Sequence, residues 1–105
     1  MKLQRPTDFL TLQCLADSGR NVASNVALEI DKSRSHVNVR LPILEDYGLV
    51  EKIGPAENSG LYELTPKGRI ALAHREEYDA PDVNFDAVVE QELDTTDATD
   101  STAGE

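Results

Sequence analysis

The sequence predicts a small, mainly helical domain with one β-hairpin, in the order α-α-α-β-β-α. Three observations predict it. Apolar residues recur at helical spacing in three successive segments before residue 49; the period then changes across a stretch split by Gly54, Pro55, Asn58 and Gly60; and a Thr-Pro step at residues 65 and 66 restarts a helix. A chain of 105 residues is too short for two independent cores. With 39% hydrophobic and 5% aromatic residues and no tryptophan, that core is expected to be aliphatic and modest.

Thr7 and Asp8 after Pro6 have the composition of a helix start, and Phe9, Leu12 and Ala16, with Leu15 beside them, carry the first helix to a stop at Gly19. Asn21 can cap a short second helix, in which Ala23, Val26, Ala27 and Ile30 follow the i, i+3, i+4, i+7 spacing of one buried face. After Asp31 and Lys32, Ser33 can cap a third helix with Val37, Leu41 and Leu44 on its inner side and Gly48 as the left-handed terminator. Pro42 falls inside this helix and is expected to bend it, because proline supplies no N–H to the carbonyl of Asn38. LVEKI and LYELT form the hairpin around the loop GPAENSG. Thr65, with Pro66 at the first helical position, opens the fourth helix, which runs through Ile70, Leu72 and Ala73 towards Glu77.

Charge divides the chain in two. The total is −10, yet residues 1–75 hold all ten Lys and Arg beside nine Asp and Glu, a net +1, whereas residues 76–105 hold eleven Asp and Glu and no cation, a net −11. The expected organisation is a folded unit over residues 1–78 and an acidic tail over 79–105. Within the tail, Asn84 can cap a short helix over 84–93 that sets Phe85, Val88, Val89 and Leu93 on one side. The remainder, poor in apolar residues, is expected to be disordered.

Several function classes find no support. The single cysteine, Cys14, lies among apolar residues and is expected to be a packed thiol. His36 and His74 lack neighbouring residues at metal-ligand spacing, so no metal and no cofactor are expected. There is no glycine-rich phosphate loop, no nucleophile elbow and no paired-carboxylate pattern, so the chain does not read as an enzyme. No apolar run approaches the roughly 20 residues of a membrane span, and the segment MKLQRPTDF lacks a signal-peptide core, which points to the cytoplasm.

Two helices with a three-residue joint form a helix-turn-helix when the second is longer and polar outside, and Ala27 is the small residue that lets such a pair approach. Asp31 stands in the turn where many such motifs have glycine; aspartate tolerates a left-handed backbone better than most residues. The run RLPILEDYGLVEKIGPAENSGLYELTPKGRIAL that follows resembles the passage from recognition helix to wing in winged-helix transcription regulators, and the likeness covers residues 6–76. The segment SRSHVNVRLPILEDYGLV is similar to that of small phage-repressor-like winged-helix regulators of halophilic archaea. The resemblance implies a winged helix-turn-helix fold and a sequence-specific, double-stranded DNA-binding transcription regulator, a repressor, that reads the major groove with helix 33–47. The acidic surplus and the few lysines fit a halophile's cytoplasm.

On a helical wheel at about 100° per residue, Ser35, Asn38, Val39 and Pro42 face outward, flanked by Arg34, His36 and Arg40, with Lys32 and Ser33 at the helix start. Arginine can bond guanine, asparagine adenine and serine either, and Val39 can meet a thymine methyl, although the same composition also suits a plain solvated face. Lys52, Asn58 and Ser59 are the wing's candidates for backbone or minor-groove contact. Against that, GPAENSG carries no Lys or Arg, so the hairpin can equally serve only to complete the core. The overall acidity keeps a second reading open, a winged-helix protein-interaction module in a transcription or replication assembly. A homodimer through the fourth helix or Phe85–Leu93 is likewise open. The tail can mask the cationic helix or merely solvate the chain.

Overall fold

A computed structural model of the chain describes residues 1–54 and 60–103, with side chains described up to Thr95. The elements are α1 (Thr7–Ser18), β1 (Asn21–Val22), α2 (Ala23–Ile30), α3 (Arg34–Asp46), β2 (Val50–Lys52), β3 (Leu61–Leu64), α4 (Pro66–Ala73), a single 3-10 turn (Arg75–Glu77) and α5 (Phe85–Ala103). The architecture is mainly helical with a small antiparallel sheet, as the punctuation of the sequence predicts.

The sheet has three strands rather than the two of a hairpin. β3 lies in the middle, paired with β2 through Val50↔Leu64, Glu51↔Glu63 and Lys52↔Tyr62, and with β1 through Asn21↔Tyr62 and Val22↔Leu61. Asn21 is therefore a strand residue and not the cap of α2. That cap position is taken by Val22, without a side-chain bond, while the Asn21 Oδ1 accepts from the Val22 N–H and the Asn25 Nδ2, both at 2.9 Å. Two residues are too few to show a strand period, and their pairing depends on a partner 40 residues away.

The other helix ends follow local chemistry. Asp31 sits in the left-handed region at φ 58, ψ 48, which lets the Lys32 N–H reach the Ala27 carbonyl at 3.0 Å and close α2. The Ser33 Oγ caps α3 by accepting the His36 N–H at 3.1 Å. At the far end of α3, Gly48 at φ 81 allows its own N–H to bond Glu45 O at 2.9 Å and the Leu49 N–H to bond Leu44 O at 3.0 Å, with both leucines buried. The helix is continuous through Pro42, which lies on its exposed side.

Thr65 caps α4 by accepting the Gly68 N–H at 3.0 Å. Gly68 is required by proximity: a Cβ there would lie 2.1 Å from the Leu49 carbonyl oxygen and 2.6 Å from Leu64 Cδ1, so only glycine lets α4 press onto the sheet. α4 stops at Ala73, short of Glu77, and the chain tightens into the 3-10 turn, where His74 Nδ1 meets Glu77 Oε1 at 2.8 Å.

The core joins Phe9, Leu12 and Leu15 of α1, Val26 of α2, Val37, Leu41 and Leu44 of α3, and Leu49, Val50 and Leu64 around the sheet. It extends beyond the expected boundary at residue 78. Phe85 and Val89 of α5 are buried, and Phe9, Tyr78 and Phe85 meet edge to face at centroid distances of 5.1–6.2 Å. Three of the chain's five aromatic side chains thus form one cluster that fastens α5 to α1. The Asn84 Oδ1 accepts the Ala87 N–H at 3.1 Å, the expected cap. The helix then runs through Ala103 rather than ending at 93, so the stretch expected to be disordered is helical to that point. No glycine or proline interrupts residues 85–103, so no local stop signal acts there. No helix among the described residues is long and apolar enough to cross a membrane.

Candidate nucleic-acid interface

α2, the left-handed turn at Asp31 and α3 form a compact pair in which Val26 and Ala27 pack inward while α3 keeps a polar outer side. Arg34, Ser35, Asn38, Val39 and Pro42 are exposed, and Val37, Leu41 and Leu44 are buried. Lys32 and Ser33 are exposed at the start of α3, and His36 is half-buried with its Nε2 2.8 Å from Gln4 Oε1.

Arg40 departs from the expected flanking position. It is buried, and its Nε and Nη2 bond the two carboxylate oxygens of Asp8 at 3.0 and 2.7 Å. Its position is three residues after Val37 and four before Leu44, which puts it on the inward stripe of α3. Asp8 is fully buried on the inward stripe of α1. A lone acid on one apolar stripe and a lone arginine on another are the signal that a pair forms. Hydrogen bonds from the guanidinium to Asp8 hold Arg40 above the usual arginine range against the opposing effect of burial, so it is cationic. Its charge is spent inside the protein.

Among the described residues, four Lys and Arg side chains are held in ion pairs. Arg5 pairs with Asp79, Arg20 with Glu63 at 3.8 Å, Arg40 with Asp8 and Lys67 with Glu90 at 2.7 Å. Among the described residues, Lys2, Lys32, Arg34, Lys52, Arg69 and Arg75 pair with no carboxylate, and of these Lys32 and Arg34 lie at the start of α3 and Lys52 on β2. Lys52 is exposed on β2, with its Nζ over the Tyr62 ring at 6.0 Å from the centroid. Asn58 and Ser59, the candidates in the wing loop, lie outside the described residues.

Between α3 and the sheet lies a cleft of about 430 Å³, lined among others by Ser24, Arg34, Asn38, Lys52, Gly60 and Tyr62. It joins three of the expected residues to two that sequence reasoning missed. Ser24 and Tyr62 reach it because β1 pairs with β3 and draws the start of α2 against the sheet. That pairing has no local signature.

The arrangement of a helix pair followed by an antiparallel hairpin over one core decides the fold. It is a winged helix-turn-helix. Solved structures share this winged helix at low sequence identity. A MarR family protein from Bacillus stearothermophilus is 19% identical, with a TM-score of 0.57 over 97% of this chain and 77% of that one. A MarR family regulator from Neisseria meningitidis is 18% identical, with a TM-score of 0.57 over 96% and 77%. A MarR-like transcriptional regulator from Thermotoga maritima is 20% identical, with a TM-score of 0.54 over 96% and 71%. No protein-family model matches the sequence, and no curated protein matches it.

Away from the winged helix's outer face, Cys14 is buried and its Sγ donates to Glu29 Oε2 at 2.9 Å, which also accepts from Ser18 Oγ at 3.0 Å. Burial first, and then the hydrogen bond to Glu29, pushes the thiol up to about 12. It is a protonated donor inside the fold and not a nucleophile.

Proposed function

We propose that the chain is a sequence-specific double-stranded DNA-binding transcription regulator, a repressor that occupies its site by laying α3 in the major groove. The observation that carries this reading is the outer side of α3. Arg34, Ser35, Asn38 and Val39 are exposed on one helix, with Lys32 and Lys52 beside them, and no carboxylate neutralises those cations among the described residues. Serine, asparagine and valine have base-edge partners in the major groove, and the cations suit the phosphate backbone. The fold shared with solved MarR family regulators supports the reading. A homodimer belongs to it, because two copies place two such helices about 34 Å apart on one side of a duplex.

The test is selection of bound duplexes from a random library at several potassium chloride concentrations up to molar. Enrichment of one motif, with two half-sites about one helical turn apart, is the expected result. Absence of any enriched motif at every salt concentration sinks the reading.

Two exposed apolar side chains on the helix pair favour a second reading, that of a protein-interaction module: Leu28 is 80% exposed and Val39 61%. The two readings separate by salt. Duplex binding weakens linearly in log affinity against log salt, whereas docking through Leu28 and Val39 does not.

A further inference from the structure

We infer that the cleft between α3 and the sheet is a phosphate seat. The inference rests on the proposed reading of duplex DNA: the seat holds one phosphodiester of the backbone, and Ser35, Asn38 and Val39 are left for base edges.

Two cations from different elements converge there. Arg34 comes from the first residue of α3 and Lys52 from the last residue of β2. Among the described residues, neither pairs with a carboxylate and no Asp or Glu lines the cleft. A phosphodiester shares one negative charge between two oxygens, which suits a planar guanidinium on one side and an ammonium on the other.

The floor is a neutral donor. Tyr62 is only 6% exposed, and its hydroxyl has no hydrogen-bond partner among the described residues. No buried polar side-chain atom among the described residues lacks a partner, so this hydroxyl is open to the cleft, where an anion can accept from it. Burial, with a smaller effect from Glu45, holds the phenol above its usual range, so it meets an anion as a proton donor and not as a second anion.

The floor is also rigid. Tyr62 is paired on both sides of β3, to Asn21 and to Lys52, so the ring stands in the middle rung of the sheet. Lys52 rests over that ring, which keeps its ammonium at the cleft. Ser24 lines the same space. Phosphate contacts fix register and orientation and carry no sequence information, so Arg34, Lys52 and Tyr62 position the protein on its site and Tyr62 joins the functional residues.

The test uses the full chain and a selected duplex remade as a series, each member with one phosphate replaced by an uncharged methylphosphonate. One linkage is expected to weaken wild-type binding about tenfold, the loss of a hydrogen-bonded charge, and to cost Tyr62→Phe and Lys52→Met almost nothing further. Lys52→Met is expected to lower the slope of log affinity on log salt by about one. Thermal unfolding checks that both variants are folded. If the duplex binds and every linkage costs the two variants as much as wild type, the seat is overturned while the DNA reading stands. A second arm titrates pyrophosphate without DNA, following backbone amides by NMR. If no duplex is ever selected but the Ser24 and Gly60 amides shift saturably, the seat stands and its duplex source is overturned. If neither duplex nor pyrophosphate binds, both are overturned.

Discussion

Arg40 on α3 and Asp8 on α1 form a two-pronged buried ion pair, with bonds of 3.0 and 2.7 Å, in which the Asp8 side chain is fully hidden and the Arg40 side chain 10% exposed. The same groups gather the amino-terminal segment: the Gln4 N–H donates to Asp8 Oδ2 at 2.7 Å, and Arg40 Nη2 reaches the Lys2 carbonyl at 3.3 Å. The pair sets how α3 lies against α1, and hence which side of α3 faces outward.

Removing one partner leaves an uncompensated buried charge. Asp8→Ala is expected to cost about 3 to 5 kcal/mol, and the double variant Asp8→Leu with Arg40→Met to recover most of it, because apolar groups of similar size replace such pairs at little loss. Chemical denaturation of the two variants measures this. A loss below about 1 kcal/mol for Asp8→Ala would mean that water reaches the guanidinium.

Outer and inner residues of α3 separate by readout. Asn38→Ala is expected to lower affinity for the selected duplex by about 1 to 3 kcal/mol and to relax base preference at one position. Arg34→Ala weakens binding to all sequences alike, without loss of stability. Leu41→Ala, at 1% exposure, is expected to cost about 2 to 5 kcal/mol of stability. Duplex titration and denaturation of the three variants test the division.

Cys14 offers a pH test. Folding raises its thiol from an ordinary 9.0 to about 12, so the folded chain keeps a proton that the unfolded chain loses. The stabilisation is full below pH 9 and falls as pH rises towards 12, a decline that Cys14→Ala flattens. Alkylation by iodoacetamide at pH 8 is expected to be about 100-fold or more slower than for an exposed thiol. Glu29→Gln is expected to speed it, because Glu29 accepts the thiol's hydrogen bond and opposes the thiolate.

The acidic segment is tested by truncation at two places. A chain ending at Glu77 loses Phe85 and Val89 from the core and is expected to lose more than about 3 kcal/mol, a measure of folding and not of the tail's charge. A chain ending at Leu93 keeps both residues. It is expected to stay folded and to bind duplex with unchanged affinity from low to high salt, the behaviour of a solvating segment. Tighter binding at low salt that fades as salt rises would instead identify the segment as a mask over the cations.

Capping and turn chemistry act within four or five residues, so they are readable along the chain. Ser33, Gly48, Thr65 and Asn84 serve as expected, Asp31 tolerates the left-handed turn, and the apolar stripe of Val37, Leu41 and Leu44 defines both sides of α3 at once. Contacts across long separations decide the rest. β1 exists because Asn21 and Val22 meet β3 some 40 residues later, and that meeting carries Ser24 and Tyr62 to the cleft. Arg40 turns inward because Asp8, 32 residues away, offers a carboxylate where water is excluded. α5 belongs to the core because Phe85 meets Phe9 and Tyr78. A charge or an aromatic ring in a sequence states what it can bond, but its direction is set by the partner that the fold delivers, and burial makes that partner obligatory.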